Sequence, residues 1–164
     1  GFTSRELYNS TKELGFSHDS NFLNPGGMGH TVSIASSISK FSNKPVICLD
    51  GDGSLLMHMG SLHTLSNVVK PKKFKYFLLN NNSHDSVGGQ STESFKIKFK
   101  ALTEGFGNFK YFKIKSTNEL NELRFDDKKN YFIELILNKR EFHDLKRPSE
   151  KYSDLKNNLK AKLN

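Results

Sequence analysis

Residues 46–54 read VICLDGDGS, an apolar run that ends in a glycine-rich polar turn. Such a run is typical of a buried strand, and apolar residues at helical spacing after the turn indicate a helix. These residues are Leu55, Met59, Leu62, Leu65 and Val69. A second apolar run, residues 74–79, leads into the polar loop of residues 80–90. Strands and helices therefore alternate, which predicts an α/β fold with a three-layer, doubly wound and mainly parallel sheet.

The rest of the chain continues this alternation. Residues 4–14 and 28–41 have helical patterns, and we expect Ser4 to cap the first helix with Glu6 in its first turn. Beyond residue 90 the pattern predicts a helix at 93–103, a strand at 110–114, a short helix at 117–123, a strand at 131–137 and a helical tail from Ser149. The tail is expected to dock on the domain or on a partner chain. A length of 164 residues predicts one domain, residues 1–164.

Composition narrows the classes of function. The net charge is +8, but the lysines are scattered and no nucleic-acid-binding motif accompanies them, so we expect a solvated basic surface and no nucleic acid. No stretch approaches the roughly 20 apolar residues of a membrane span, and no signal-peptide pattern opens the chain, so no membrane partner is expected. The one cysteine, Cys48, cannot form an internal disulfide. A cytoplasmic location is expected.

The two polar loops follow strands, so they are expected at the same carboxyl edge of the sheet, where open α/β folds bind ligands. Asp52 stands between Gly51 and Gly53, and glycine allows phosphate oxygens to approach the backbone. Ser54 adds a hydroxyl at the start of a helix, whose free N–H groups favour an anion. Asn81 offers an uncharged oxygen in the second loop. One carboxylate and one carboxamide, completed by a carbonyl, phosphate oxygens and water, predict a Mg²⁺ site that receives a diphosphate.

The spacing of these loops resembles a cofactor motif. The 26 residues from Ser54 to Leu79 separate GDG from NN, which is similar to the pattern of thiamine-diphosphate-dependent enzymes. The stretch NPGGMGH at 24–30 resembles the family's loop that holds the aminopyrimidine ring. Five strings resemble phosphonopyruvate decarboxylases, with sulfopyruvate decarboxylases next: TSREL at 3–7, GMGH at 27–30, LDGDG at 49–53, MHMG at 57–60 and HDSVGGQST at 84–92. The chain thus resembles the C-terminal, diphosphate-binding domain of that family, which implies the thiamine-diphosphate-binding fold.

The resemblance assigns roles to individual residues. It implies that Asp52, Asn81 and the carbonyl of Ser83 bind Mg²⁺. It also implies cofactor contacts from Thr3, Ser4, Gly26, Gly27, Met28, Gly51, Gly53, Ser54, His84, Asp85 and Ser86. Within this set, Thr3 and Ser4 belong to an entrance loop that helps to cradle the diphosphate, the carbonyl of Gly26 accepts from the pyrimidine amino group, and Met28 wedges beneath the bent cofactor.

Histidines supply the candidate catalytic groups. His30 and His84 each lie one or two residues beyond a cofactor-binding element, and each can donate to a phosphonate or shuttle a proton, or can instead satisfy a loop carbonyl. His58 is a weaker candidate that can face a subunit interface. Arg5 either binds the substrate phosphonate or pairs with Glu6 or solvent.

Three positions depart from the family pattern. Gly27, Asn82 and Asp85 stand where serine, glycine and glutamate are expected, and Asn82 is tolerable because asparagine can adopt a left-handed conformation.

The implied activity is thiamine-diphosphate-dependent decarboxylation of a 2-keto acid, phosphonopyruvate giving phosphonoacetaldehyde and CO₂, with the cofactor carrying the chemistry. The family's activating glutamate lies in a pyrimidine-binding domain that this chain does not contain. We therefore expect a partner domain or subunit, a dimer or larger assembly, and no turnover by this chain alone. The alternatives are a sulfopyruvate decarboxylase subunit, a non-catalytic thiamine-diphosphate-binding module, and a Mg²⁺-dependent phosphotransfer domain using Asp50 or Asp52.

Overall fold

The computed structural model describes residues 1–69, 73–126, 128–139 and 145–163. The chain divides into two compact units, residues 1–28 with 141–164 and residues 29–140. The helices are α1 (Phe2–Glu13), α2 (Thr31–Phe41), α3 (Asp52–Met57), α4 (Ser61–Val68), α5 (Phe99–Phe106), α6 (Thr117–Glu122) and α7 (Tyr152–Leu163). The strands are β1 (Val46–Gly51), β2 (Phe74–Asn80), β3 (Phe109–Ile114) and β4 (Asn130–Ile136).

The second unit is built on a four-stranded sheet with the order β1-β2-β4-β3. Every neighbouring pair is parallel, with β1 on β2, β2 on β4 and β3 on β4. Parallel strands need crossover connections, and helices supply them between the strands of this unit. The predicted α/β fold with a parallel sheet is therefore confirmed.

Side chains of successive strand residues point to opposite faces, so each strand contributes to two cores. One core lies beneath α2 to α5 and contains the following buried residues: Val32, Ala35, Cys48, Leu55, Leu62, Leu65, Val69, Phe74, Tyr76, Leu78, Phe99 and Phe132. The other face has a smaller core of Ile114, Tyr131 and Ile133, against which Leu123 and Phe125, after α6, pack. Three polar side chains point to the same face of the sheet as the larger core, namely Asp50, Asn80 and Glu134.

Several predicted helix boundaries are wrong. The helix expected from Leu55 to Val69 is two helices, α3 and α4, because His58 leaves helical geometry at φ −141° and ψ 49°. The helix expected at 93–103 is a 3-10 turn, Ser94–Lys96, followed by α5, because Glu93 adopts φ 56° and Lys98 is not helical. The helix expected from residue 28 begins at Thr31, after Gly29 with φ +87°.

The first unit consists of α1, the segment that follows it, and α7. Tyr8, Leu23 and Leu155 form its buried cluster, so the helical tail packs against α1 and the segment after it within this unit. The prediction that Ser4 caps α1 is wrong, because the helix begins at Phe2 with Gly1 at its cap and has no acidic residue in its first turn. In the described ranges, no helix combines the length and the apolarity that crossing a membrane requires.

Candidate functional site

The two polar loops meet at one edge of the sheet. Gly51, the last residue of β1, pairs with Leu79 of β2, so Asp52 and Asn80 each come directly after paired positions. Asp52 is 2% exposed and Asn80 is fully buried. The expectation that the loops share the carboxyl edge is confirmed, because β1 and β2 are parallel neighbours.

Hydroxyl groups from a third segment surround the Asp52 carboxylate. Thr92 Oγ1 donates to Asp52 Oδ2, and Ser94 Oγ lies 2.9 Å from the same oxygen. Ser94 Oγ also lies 2.6 Å from Asn80 Oδ1 and 3.0 Å from Thr92 Oγ1. Neither Thr92 nor Ser94 was predicted as a partner of Asp52, and no role was expected for Ser94. No spacing rule relates residues 40 and 42 positions apart.

This oxygen cluster has more acceptors than protons. Four oxygen–oxygen contacts join Asp52, Thr92, Ser94 and Asn80, whereas each of the two hydroxyls has only one proton to donate. A cation bound by the Asp52 carboxylate draws negative charge away from the cluster and relieves this excess. The residues therefore fit a divalent metal at Asp52.

Asn81 and Ser83 present oxygen atoms with defined directions. Asn81 Nδ2 donates to Asp85 Oδ2 at 2.6 Å, while Asn81 Oδ1 accepts from the N–H of Ser83 at 3.1 Å. Ser83 and Ser91 form an antiparallel bridge whose hydrogen bonds use the carbonyls of Asn82 and Gln90. The carbonyl and N–H of Ser83 both point away from Ser91, so the bridge does not use the Ser83 carbonyl as an acceptor.

The Asp52 carboxylate, the Asn81 amide oxygen and the Ser83 carbonyl are the types of oxygen ligand that Mg²⁺ prefers. Within the described part of the chain, no three His, Cys, Asp or Glu side chains are grouped so that they could hold a metal ion. A metal site here therefore depends on amide and carbonyl oxygens beside Asp52, as the proposed set of Asp52, Asn81 and Ser83 supplies.

The Ser83–Ser91 bridge closes the loop that contains His84, Asp85 and Ser86. The carbonyl of His84 accepts from the N–H of Val87 at 2.9 Å and of Gly89 at 3.1 Å, so the loop is folded on itself. His84 Nδ1 is buried and has no hydrogen-bond partner among the described residues. An imidazole nitrogen in this state has an unused capacity for one hydrogen bond. Asn82, before the loop, has φ 55°, which confirms that asparagine adopts the left-handed conformation there.

Ser54 and Asp50 connect the first loop to the start of α2. Ser54 Oγ accepts from the N–H of Gly29 at 2.9 Å. Asp50 Oδ2 accepts from Tyr76 OH at 2.9 Å. Burial raises the pKa of the Asp50 carboxyl, and hydrogen bonds from Ser54, Tyr76 and Thr31 limit the rise. Ser54 thus already has two protein partners, and its contact with a diphosphate remains a prediction.

The glycines of the first loop leave space near Asp52. A Cβ built at Gly51 meets no heavy atom within 4 Å, and Gly53 is buried within α3. The helix that follows has only six residues, so its dipole assists an anion less than the longer predicted helix would.

His30, at the start of α2, is exposed and lies against another histidine. The ring centroids of His30 and His58 are 4.9 Å apart, and His58 Nδ1 lies 3.1 Å from the carbonyl of Gly29. Because a carbonyl only accepts, His58 carries its proton on Nδ1. The structure therefore places His58 beside His30, whereas its expected role at an interface is untested.

The remaining predicted cofactor residues lie in the first unit. Thr3 and Ser4 are inside α1, so the loop expected at these positions is helix, because the chain turns helical at Phe2. Gly26 has φ +80°, and the carbonyl of Gly27 accepts from Asn24 Nδ2 at 2.8 Å. Met28 is half-buried.

Arg5 lies in the same helix. Its guanidinium is 5.4 Å from the Phe2 ring centroid, an arrangement typical of a cation–π contact. Its predicted contact with a phosphonate stays a prediction.

Comparisons with known proteins identify the family of the chain. Residues 4–134 match the family described as thiamine pyrophosphate enzyme, C-terminal TPP binding domain. A phosphonopyruvate decarboxylase of Streptomyces hygroscopicus is 36% identical over 107 residues, 65% of this chain and 25% of that protein. A sulfopyruvate decarboxylase subunit beta of Methanococcus maripaludis is 37% identical over 94 residues, 57% of this chain and 48% of that protein.

One solved structure, the transketolase of Campylobacter jejuni, superposes with a TM-score of 0.40 at 20% identity, over 66% of this chain and 19% of that one. The chain spans about a quarter of the length of the phosphonopyruvate decarboxylases it matches and about half of the sulfopyruvate decarboxylase subunit. The family match extends from α1 to β4 and includes both loops of the site. The chain belongs to the family of thiamine pyrophosphate enzymes, as their C-terminal TPP-binding domain.

Proposed function

We propose that this chain is the diphosphate-binding half of a thiamine-diphosphate-dependent decarboxylase that converts phosphonopyruvate to phosphonoacetaldehyde and CO₂. The main support is the acceptor-rich cluster around Asp52 at the shared edge of β1 and β2, which fits a divalent metal. The phosphonopyruvate decarboxylases and sulfopyruvate decarboxylase subunits among the relatives support decarboxylation of a 2-keto acid.

In this proposal the chain positions the cofactor and protects the reacting atoms. Asp52, Asn81 and the Ser83 carbonyl hold Mg²⁺, which receives the diphosphate. When bound, thiamine diphosphate supplies the electron sink that decarboxylation requires. His84 has an unpartnered Nδ1 that can form one further hydrogen bond, and the exposed His30 can donate to an anionic substrate.

A partner completes the site in this proposal. Relatives named as beta subunits favour a companion subunit, which we propose carries the pyrimidine-binding domain and its activating glutamate. The assembly is then a dimer or larger, because the cofactor lies between two domains. We propose a cytoplasmic location for it.

A second candidate substrate is sulfopyruvate. The chain is 37% identical to a sulfopyruvate decarboxylase subunit and 36% identical to a phosphonopyruvate decarboxylase, so sequence identity favours neither substrate. The two substrates differ in the charge and shape of one anionic group, phosphonate or sulfonate. Release of CO₂ from each by the complete enzyme, measured under identical conditions, distinguishes them.

Cofactor binding tests the first half of the proposal. Titration of the complete protein with thiamine diphosphate and Mg²⁺ in a calorimeter should give a binding isotherm. Asp52→Ala should abolish the Mg²⁺-dependent heat, because the only carboxylate of the metal set is lost. Asp154→Ala, which removes an exposed aspartate of α7, serves as the matched control and should bind as the wild type does.

Turnover tests the second half. The chain with its partner subunit should release CO₂, whereas this chain alone should not. Decarboxylation by the isolated chain would refute the dependence on a partner. Cofactor binding without turnover of any short 2-keto acid by the assembled enzyme would favour the non-catalytic module.

A further inference from the structure

Glu134 is a buried carboxylate on β4, one of the two inner strands of the sheet. Its exposure is 1%, and it lies on the same face as the main apolar core. Burial of a carboxylate is costly unless partners compensate for its lost hydration. Two neutral donors and one cation surround it. Asn80 Nδ2 donates to Oε1 at 2.8 Å, Tyr111 OH donates to Oε2, and Lys113 Nζ lies 3.6 Å from Oε1.

Two contacts fix which way the Asn80 amide faces: Asn80 Nδ2 donates to Glu134, and the N–H of Asn82 donates to Asn80 Oδ1 at 3.3 Å. An ionised carboxylate only accepts hydrogen bonds, so Asn80 must present its Nδ2 to Glu134. Asn80 Oδ1 is then directed to the other side, where Ser94 Oγ lies 2.6 Å away. Ser94 Oγ is also 2.9 Å from Asp52 Oδ2. A continuous buried chain therefore links Glu134 to Asp52 through Asn80 and Ser94.

The single proton of Ser94 has three acceptors within reach, Asp52 Oδ2, Asn80 Oδ1 and, at 3.4 Å, Asn82 Oδ1, and the orientation of the Asn80 amide sets the balance between the first two. While Asn80 Oδ1 faces Ser94, it competes with Asp52 for that proton. Asp52 then keeps more of its negative charge for a cation. If the Asn80 amide turned over, its Nδ2 would donate to Ser94 and the Ser94 proton would go to Asp52. The carboxylate would then attract a metal less strongly.

We propose that Glu134 is a positioning residue of the metal site, acting on Asp52 through the amide orientation of Asn80 and the hydroxyl of Ser94. This inference rests on the proposed function, since it presumes that Asp52 binds Mg²⁺. Tyr111 and Lys113 hold Glu134 in place from β3. Burial, with the hydrogen bond and charge of Glu134, raises the pKa of the Tyr111 hydroxyl, so this donor stays protonated.

The variant Glu134→Gln tests the inference with almost no change in shape. A glutamine can present either an oxygen or an amide N–H to Asn80, so only the long hydrogen bond from the N–H of Asn82 still selects the orientation of the Asn80 amide. Mn²⁺, a substitute for Mg²⁺, can be titrated into the complete protein with thiamine diphosphate, and free Mn²⁺ measured by electron paramagnetic resonance. We expect about tenfold weaker Mn²⁺ binding for Glu134→Gln, the lower end for residues that orient metal ligands.

A double-mutant cycle with Ser94→Ala separates positioning from a general effect on the fold. Ser94→Ala cuts the connection, so Glu134→Gln added to it should weaken Mn²⁺ binding by only about twofold. Equal fold-changes in the two backgrounds would overturn the proposal. Glu104→Gln, which removes an exposed carboxylate paired with Lys100, is the control and should leave Mn²⁺ binding unchanged.

The outcomes for the two proposals are distinguishable. Failure of the wild-type protein to bind Mn²⁺ with the cofactor refutes the proposed function. Normal wild-type binding with unchanged affinity in Glu134→Gln refutes the positioning role alone. If circular dichroism shows that Glu134→Gln does not fold, Tyr111→Phe replaces it, because it removes one donor to Glu134 and keeps the charge. Its Mn²⁺ affinity should fall about threefold, and an unchanged value would overturn the proposal.

Discussion

The turn that contains Gly29 offers a quantitative test of how this turn is held against Ser54 and His58. Gly29 has φ +87°, and its N–H donates to Ser54 Oγ while its carbonyl accepts from His58 Nδ1. A Cβ at Gly29 would lie 2.7 Å from His58 Nδ1 and 3.0 Å from Met57 Cβ. Gly29→Ala therefore forces the exposed His58 ring to move and strains the backbone.

The expected loss of stability can be built from separate contributions. A non-glycine residue at positive φ costs about 1–2 kcal/mol. Displacement of His58 loses a hydrogen bond of about 1 kcal/mol and a ring contact with His30 of about 0.5 kcal/mol. The reduced entropy of the unfolded chain returns about 0.5 kcal/mol. Gly29→Ala should thus lower the free energy of unfolding by about 2–3 kcal/mol.

Urea unfolding of four proteins measures this prediction: wild type, Gly29→Ala, His58→Ala and the double variant. In the His58→Ala background the hydrogen bond and ring contact are already lost, so Gly29→Ala should cost only about 1 kcal/mol. An equal cost in both backgrounds would show that His58 does not sense the added methyl group. A cost below about 0.5 kcal/mol in the wild-type background would refute the backbone argument as well.

Two further predictions concern a buried thiol and the turn before the loop. Burial, and then Asp50, raise the pKa of the Cys48 thiol. Its stabilising contribution is therefore complete below the unfolded pKa of about 8.5 and declines as pH rises above that value. Urea unfolding of the wild type and of Cys48→Ala at a series of pH values should show this decline in the wild type alone. The same pH dependence of the free energy of unfolding in both proteins would contradict the prediction. Asn82, at φ 55°, donates to Ser91 Oγ at 3.1 Å and accepts from the N–H of Phe95 at 3.3 Å. Asn82→Ala should lose about 2 kcal/mol and Asn82→Gly about 1 kcal/mol in the same assay, since only alanine adds strain, and the reverse order would contradict this explanation.

The convergence of the two loops was predictable because it follows from local patterns. An apolar run followed by a polar turn identifies each strand end, and a helical stretch between two such runs implies a parallel crossover. Asp52 and Asn80 therefore could be placed at one edge without any knowledge of long-range contacts. The pairing of Gly51 with Leu79 agrees with that expectation.

The break between α3 and α4 could not be predicted from periodicity. Leu55, Met59 and Leu62 keep helical spacing across it, since both helices bury the same face. The break involves His58, which contacts the carbonyl of Gly29, 29 positions earlier in the chain. Contacts at that separation leave no periodic signal.

The residues that surround Asp52 were missed for a similar reason. Ser94 lies in the segment predicted as a helix, 93–103, where a serine has no special signal, and its role arises only when β1, β2 and the following turn meet. Glu134 did leave a signal, a charged residue within the apolar run of β4, but such a residue is equally typical of an edge or solvent-facing position. Only the strand order, which places β4 between β2 and β3, shows that it is buried.

The bridge between Ser83 and Ser91 has a consequence for how such a site can diversify. Backbone hydrogen bonds at its neck, from Thr92 to Asn82 and from His84 to Gln90, close the loop without using the side chains of Ser86, Val87 or Gln90. These side chains are exposed, so exchanging them sacrifices little packing. Asp52 and Asn81 lie outside the closed segment. In the proposed site these three side chains can therefore change while Asp52 and Asn81 stay the same, so specificity can evolve separately from cofactor binding.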